Sequence, residues 1–437
     1  MRYSSGPVRV LERISSLDVL RGTAVLGILV MNIYAFAMPF TAYSNPLAMG
    51  GTETLNLGTW FVTHIFFDQK FMTIFSILFG AGIVLMDGRA ADRGAGFAPI
   101  FYRRQFWLMV MGLLHAYLIW YGDILFFYSL CGMIVFLFRK KPAKTLIIIG
   151  LLVLPVVPLL NLAGGSYMVD LQQRVVAYEE KVAAGEELDE DEQAAIDEWA
   201  EARPLMIPGP EEVEQDVAAY RGTYADAMEQ RVPFVLAFHT QGFLYFGLWR
   251  IGALMLLGMA LMKLGVLSAN RSAGFYRRMM LAGYGVGLPL TIFSSFNMHA
   301  HDWQPLWVFR IGFLPNYIGS ILVAFGHMAV VMLIVKSGAF ANITARFAAV
   351  GRMALTNYLL HSVVMTTLFY GHGLGLYTEI PRMQQMVFVA GMLLVQLIVS
   401  PWWLARYRFG PVEWLWRSLT YWRRQPFRSS AGAARER

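Results

Sequence analysis

The stretch ISSLDVLRGTAVLGILVMNIYAF, residues 14–36, is apolar enough to cross a bilayer, yet it opens with Asp18 and Arg21 and carries Asn32 further on. As an α-helix turning about 100° per residue, it brings Arg21 within about 20° of Asn32 and Asp18 within about 40°. A single polar stripe on an otherwise apolar helix faces protein or water rather than acyl chains. The segment therefore predicts the wall of a passage. Its basic lead and the trio Ala35-Phe36-Ala37 imitate a signal peptide. However, the apolar run exceeds the roughly 7 to 15 residues of such a signal and begins with an Asp/Arg pair, so a retained first helix is expected.

Of the 437 residues, 57% are hydrophobic and only 15% charged, and the mean hydropathy is +0.49. Those values predict an all-α, polytopic membrane protein with no large soluble core. Ten spans are expected, at 17–38, 70–86, 106–120, 124–138, 145–162, 242–262, 279–296, 308–335, 353–370 and 386–405, with 55–67 a short interfacial or re-entrant piece. Every second connection is basic: Arg2, Arg9 and Arg13 first, then Arg89, Arg93, Arg103 and Arg104, then Arg139 to Lys144, Lys263 to Arg278, Lys336 to Arg352, and the tail from Arg406. The longest intervening connection, 164–231, has 18 acidic and 5 basic residues by count. The positive-inside rule then puts both termini in the cytoplasm.

The chain reads as one multi-span membrane domain, 1–437, with an acidic extracytoplasmic helical insertion at 164–231 and a basic, aromatic cytoplasmic tail at 406–437. The insertion is expected to be a solvated lid or spacer, or else a gate for cations or substrate, broken by Pro204, Pro208 and Pro210. The tail reads as an interfacial anchor. WYGDI, residues 120–124, reads as a tight hairpin turning at Gly122. LFGAGIVLMDGRAADRGAGFAPIFYRR, 78–104, resembles LLGMALMKLGVLSANRSAGFYRR, 256–278, in the same direction, which suggests an old parallel duplication. Cys131 is the single cysteine, which excludes an intrachain disulfide and a cysteine-rich metal site.

Ionisable groups inside a bilayer cost roughly 2.5 to 3.5 kcal/mol each and are functional candidates for that reason. His115 lies eleven residues beyond Arg104, about 16 Å along the helix. Arg250 lies 13 residues before Lys263, about 20 Å, and His361 nine beyond Arg352, about 13 Å. With Asn32 and Asn357, they place polar groups at the middle of several helices, and Asp123 lies just above. In the functional reading, His115 is a general base in a hydrated cavity, Asp123 orients it or pairs with Arg250, and Asn32 steadies an oxyanion. In the plainer reading, the same groups are interhelical glue. His64 with Asp68 offers a weaker pair, and His299, His301 and Asp302 look metal-like without a fourth ligand, so no metal is expected. At the basic rim, Arg21, Arg103, Arg104, Arg277 and Arg278, with Asp18 beside them, suit phosphate groups or simply set topology.

GLLHAYLIWYGDILFFYSLCG (112–132), GRMALTNYLLHSVVMTTLFYGHGLGLY (351–377) and RFGPVEWLWRSLTY (408–421) resemble the YeiB-like bacterial inner-membrane proteins, the domain of unknown function 418 family. SLDVLRGTAVLGILVMNI and KFMTIFSILFGAG extend the resemblance over nearly the whole chain. The first helix is also similar to the start of transmembrane acyltransferases related to heparan-α-glucosaminide N-acetyltransferase, in which an SxDxxRG helix and a following Asn help build a route from cytoplasmic acetyl-CoA to an outside acceptor. Asp18, Arg21, Gly22 and Asn32 match that pattern, but the segment where that family's catalytic His falls contains none. The resemblance implies an acyltransferase using acyl-CoA as co-substrate, with no tightly bound cofactor, acting on an envelope glycan or lipid. The runner-up is a permease or lipid flippase, and the third reading is a non-catalytic membrane protein. The expected partners are the bilayer and these substrates, with no nucleic acid.

Overall fold

Backbone in lipid has only itself to hydrogen-bond with, so long runs of Leu, Ile, Val, Met and Phe close into helices. The computed structural model describes residues 15–429 except 50, 52 and 93–95; Arg2, Arg9, Arg13, Arg93 and the tail beyond 429 lie outside the described residues. The helices are α1 Ser15–Ala37, α2 Thr54–Phe66, α3 Lys70–Asp92, α4 Ala98–Leu118, α5 Leu125–Val135, α6 Ala143–Val153, α7 Val156–Ala183, α8 Glu190–Met206, α9 Pro210–Arg221 and α10 Tyr224–Ala237. After a π-helical stretch, Phe238–Ile251, come α11 Gly252–Lys263, α12 Ala273–Ala300, α13 Leu314–Ser337, α14 Ala341–Arg352, α15 Ala354–Phe369, α16 Arg382–Arg406 and α17 Pro411–Tyr421. Among the described residues there is no strand, only an isolated bridge between Tyr407 and Arg428.

Among the described residues, seven helical segments are long and apolar enough to cross a membrane, and Leu125–Phe138 and Ala354–Phe369 are shorter apolar helices. The α4 helix is not among the seven, because Arg103, Arg104, Gln105 and His115 interrupt its apolar character. The expected interfacial piece at 55–67 is α2. It meets α3 at a tight turn in which Gln69 adopts a left-handed φ of 60°. The acidic insertion has no break at Gly164, since α7 runs straight through it. Pro204 lies inside α8 rather than ending it, and Pro210 occupies the first turn of α9. The acidic helices have a small core of their own, in which Leu171, Val175 and Ala195 pack with Met168, Tyr178 and Trp199.

The internal repeat has a structural counterpart. A Cβ on Gly80 would lie 1.9 Å from the Met255 carbonyl oxygen, and one on Gly258 would lie 2.0 Å from that of Ile77. Met255 and Ile77 each stand three residues before the other glycine, so the two repeat copies, α3 and α11, cross as near-equivalents. They run parallel: Lys70 and Arg250 are near one another at their starts, and Asp87 and Lys263 at their ends. Without a hydrophobic force between helices in lipid, such backbone approach through small residues holds them together. Gly22 and Gly351 do the same for α1 and α14, where added Cβ atoms would sit 2.0 Å from Phe347 O and 1.9 Å from Asp18 O.

The connections separate by charge. At one end Arg139 pairs with Asp87 at 3.0 Å, Lys263 donates to the carbonyls of Arg139 and Lys141, Ser16 to that of Leu267, and Lys336 to that of Ala269. At the other end the insertion closes on the outer turns: Gly371 N donates to Tyr220 O, Thr378 N to Ala37 O, and the Tyr224 hydroxyl to Leu118 O. The basic connections thus gather on one face and the acidic insertion on the opposite one.

Gly80→Leu is expected to abolish recovery of folded protein, because the side chain has backbone in its place. Gly82→Leu, where nothing lies within 4 Å of an added Cβ, is expected to leave yield and elution unchanged. Size-exclusion chromatography of both variants in detergent checks this pair.

Candidate functional site

The WYGDI turn is built by Asp123. One carboxylate oxygen, Oδ2, accepts from Phe126 N at 2.8 Å and so caps the first turn of α5; the other, Oδ1, lies 2.8 Å from His115 Nδ1. A Cβ on Gly122 would lie 2.2 Å from the Trp120 ring, so the turn closes only around glycine. The Gly122 carbonyl accepts from Tyr358 OH at 3.1 Å, and the Tyr358 ring lies 5.2 Å from the His115 ring.

The second His115 nitrogen, Nε2, is 2.8 Å from Ser362 Oγ on α15. His115 and Asp123 are each 1% exposed and Ser362 0%. A carboxylate accepting from Phe126 N–H and from imidazole acts as acceptor only, so Nδ1 carries the proton and Nε2 presents a lone pair to the serine hydroxyl. Two helices and the turn between α4 and α5 thus supply an Asp–His–Ser relay, with one hydroxyl on the basic nitrogen of an oriented imidazole. That arrangement activates a hydroxyl by taking up its proton. Sequence reading found His115 and Asp123 and missed Ser362, whose signal is only a small polar residue in the apolar run NYLLHSVVM.

The supports of the relay come from both ends. On the basic face, the Glu413 carboxylate of α17 accepts from Leu355 N at 2.7 Å, Thr356 N at 3.0 Å and the Thr356 hydroxyl, capping α15. Trp416, one turn on, donates Nε1 to Arg104 O at 2.9 Å, and the Arg104 guanidinium lies 3.6 Å above its ring. The tail helix is therefore a clasp joining α4, which bears His115, to α15, which bears Ser362. On the other face the buried Arg231 and the Tyr224 hydroxyl hold the carbonyls of Ile119 and Leu118, at the C-terminal end of α4 where a cation is favoured. Beside them Asp216 accepts from Gln230 and Tyr377, and burial pushes its carboxyl up from the usual range.

Other sequence candidates separate from this centre. Arg250 does not pair with Asp123. It donates to Tyr317 O at 3.1 Å and Ser320 Oγ at 2.8 Å, deep between α3, α11 and α13. Close to it lies a second polar centre, of which spacing revealed only the His64/Asp68 pair: Lys70 donates to Asn316 Oδ1 at 2.8 Å and to His64 O at 2.7 Å, while Asn316 donates to Asp68 at 2.6 Å. His64 Nδ1 lies 3.7 Å from Asp68, and its ring stacks on Trp60. Lys70, expected only as the start of a span, is buried because α2 and α13 fold over it. His361 and Asn357 serve as glue between α15 and α16: His361 Nε2 meets Gln396 Oε1 at 2.9 Å and Asn357 meets Ser400 Oγ at 3.1 Å.

Asn32 is half-buried, with no side-chain hydrogen bond among the described residues, one turn from Ala35 and Phe36, whose contacts with Trp120 turn that face of α1 toward the His115 end of α4. His239, in the π-helical stretch, stacks on Phe126 at 4.1 Å with neither ring nitrogen bonded. π-Helical turns are often found at functional sites. At the rim Asp18 pairs with Arg21 at 3.0 Å, and Arg21 and Arg417 approach Arg104 closely enough to repel it. Arg103 lies against Trp422, while Arg277 and Arg278 are exposed on α12. His301 stacks on Trp307 and His299 faces Trp303, and among the described residues no three His, Cys, Asp or Glu converge. An apolar groove of about 530 Å³ lies between α6, α11 and α13, lined by residues such as Leu151, Leu257, Tyr317 and Phe325.

Residues 261–423 match the family model described as protein of unknown function, DUF418. The chain is 31% identical to the uncharacterized protein YxaH of Bacillus subtilis, covering 96% of this chain and 97% of the relative. It is 30% identical to the uncharacterized protein YeiB of Escherichia coli, covering 94% and 97%. It is 25% identical to an uncharacterized 39.9 kDa protein of Bacillus acidopullulyticus. No solved structure matches it. The chain belongs to the DUF418 family.

Glu413→Ala is expected to destabilise the protein by about 1 to 3 kcal/mol, since two backbone donors and a hydroxyl at the start of α15 lose their partner. Glu413→Gln, which keeps acceptor oxygen, is expected to lose less. Thermal unfolding in detergent, followed by tryptophan fluorescence, measures both.

Proposed function

We propose that this DUF418 member is a multi-pass acyltransferase of the bacterial inner membrane, moving an acyl group from a cytoplasmic thioester, acyl-CoA, to a hydroxyl or amine on an envelope glycan or lipid. The observation that carries this reading is the buried His115, held by Asp123 with its lone pair turned toward a hydroxyl. Acyl transfer needs a base that removes a proton from the attacking group and returns one to the leaving group, which an oriented imidazole supplies. It also needs an anion-binding mouth on the donor side. Arg21, Arg104 and Arg417 cluster on the basic face, where guanidinium groups fit the phosphates of a coenzyme A carrier. The uncommitted amide of Asn32 suits the developing oxyanion. No resident metal or cofactor enters this chemistry.

A permease or lipid flippase is the second reading, favoured by the Lys70–Asn316–Asp68 centre near Arg250. Two buried basic side chains, Lys70 and Arg250, lie near the one carboxylate of Asp68, and ionisable groups inside a bilayer commonly mark an ion or substrate path.

Wild-type protein in nanodiscs, given radiolabelled acyl-CoA and an envelope extract, is expected to label the extract, and His115→Ala to lower that labelling at least about a hundredfold. Substrate counterflow in proteoliposomes without acyl turnover would favour the permease instead. For the orientation, a cysteine placed at Gly185 is expected to react with an impermeant maleimide in spheroplasts, and one at Gly338 only after permeabilisation; the native Cys131 is buried. The reverse pattern overturns the cytoplasmic assignment of the basic face.

A further inference from the structure

We propose that Ser362 is a nucleophile that carries the acyl group covalently between donor and acceptor; this rests on the acyltransferase reading above. The hydrogen-bond order leads there. Asp123 accepts from His115 Nδ1–H, so the proton-accepting end of the imidazole is Nε2, and the hydroxyl at 2.8 Å from it belongs to the protein. An acceptor hydroxyl that used His115 directly would first have to displace Ser362 from that nitrogen. The group already in place to be deprotonated is Ser362 Oγ.

In the first half-reaction, Ser362 Oγ gives its proton to His115 Nε2 and bonds to the carbonyl carbon of the thioester. The carbon–sulfur bond then breaks, and the leaving thiolate takes the proton from Nε2. The products are an acyl-serine ester and free coenzyme thiol. In the second, the acceptor hydroxyl or amine gives its proton to Nε2 and attacks the ester carbonyl. The carbon–Oγ bond breaks and Oγ recovers the proton. Asp123 stays ionised throughout and holds the transient imidazolium.

The surroundings suit a two-stage transfer. Donor and acceptor lie on opposite sides of a membrane, and a covalent carrier in the bundle lets them react in turn. Burial of Ser362, His115 and Asp123 at 0 to 1% exposure keeps bulk water from the ester, which favours transfer over hydrolysis. Trp120 and Tyr358 flank His115 with ring centroids at 6.2 and 5.2 Å, so aromatic walls hold the imidazole, and the Tyr358 hydroxyl is engaged with Gly122 O.

The test uses full-length protein in nanodiscs with acetyl-, butyryl- and palmitoyl-CoA, acid-quenched and read by intact mass and peptide mapping. Without acceptor, wild type is expected to gain one hydroxylamine-sensitive acyl group on Ser362. Envelope extract is expected to discharge it. Ser362→Ala is expected to lose the adduct and at least about a thousandfold of transfer, while Ser362→Cys, which keeps the shape of the site, carries the acyl group as a thioester. An adduct at another residue, or a folded Ser362→Ala that transfers at the wild-type rate, overturns the carrier and leaves direct transfer by His115 standing. A wild type that transfers without ever holding an adduct under quench does the same. Neither adduct nor transfer with any of the three donors overturns both readings.

Discussion

The organisation of the bundle turns on a buried carboxylate. Asp123 lies out of reach of water, and an ionised carboxylate is stable there only if its oxygens are fully engaged. It meets that requirement from two directions, capping α5 with one oxygen and holding His115 with the other. The same bonds decide the tautomer of His115 and hence what its far nitrogen does. Because α4, α5 and α15 all meet at this point, their mutual placement and the chemistry of the centre are one problem with one solution.

The outer frame exists to keep those helices still. On the basic face the clasp from the tail fastens α4 and α15 through Trp416 and Glu413, side chains three residues apart on one face of α17. The residues that give the tail its anchor-like character, aromatic and basic by turns, are partly consumed in packing, Trp416 against α4, with Glu413 beside it bound to α15. On the opposite face Arg231 and Tyr224 secure the last turn of α4. Behind this half, the parallel glycine crossing of α3 and α11 lets backbones touch, which aligns Lys70 with Arg250 at one end and Asp87 with Lys263 at the other.

Two polar centres therefore coexist, and they differ in kind. Around His115 the hydrogen bonds form a directed chain from carboxylate to imidazole to hydroxyl, the order that proton transfer uses. Around Lys70 they form a net in which two basic side chains, an amide and a backbone carbonyl gather about one carboxylate. The first arrangement suits group transfer and the second suits binding charge. The π-helical stretch that precedes α11 places His239 on the first centre's side and Arg250 in the second, so the two are joined along one continuous helix.

Much of this was legible in the linear chain, because lipid imposes its rules locally. Apolar runs, alternating basic connections and the WYGDI turn follow from what each segment can satisfy alone, and the glycines of the repeat are visible before their crossing is. His115 and Asp123 stand out for the same reason: eight residues apart across a tight turn, they have few other partners. Ser362 is different. A serine in a membrane helix can return its hydroxyl to its own backbone at small cost, so its sequence says nothing about reaching another helix. The sequence by itself determined a helical membrane bundle, its charge segregation and an Asp/His pair. Only the tertiary structure decided which hydroxyl faces the imidazole, why Arg250 belongs elsewhere and what the tail grips, because those depend on contacts between separate segments, 70 residues apart for Arg250 with Ser320 and more than two hundred for the serine and the tail.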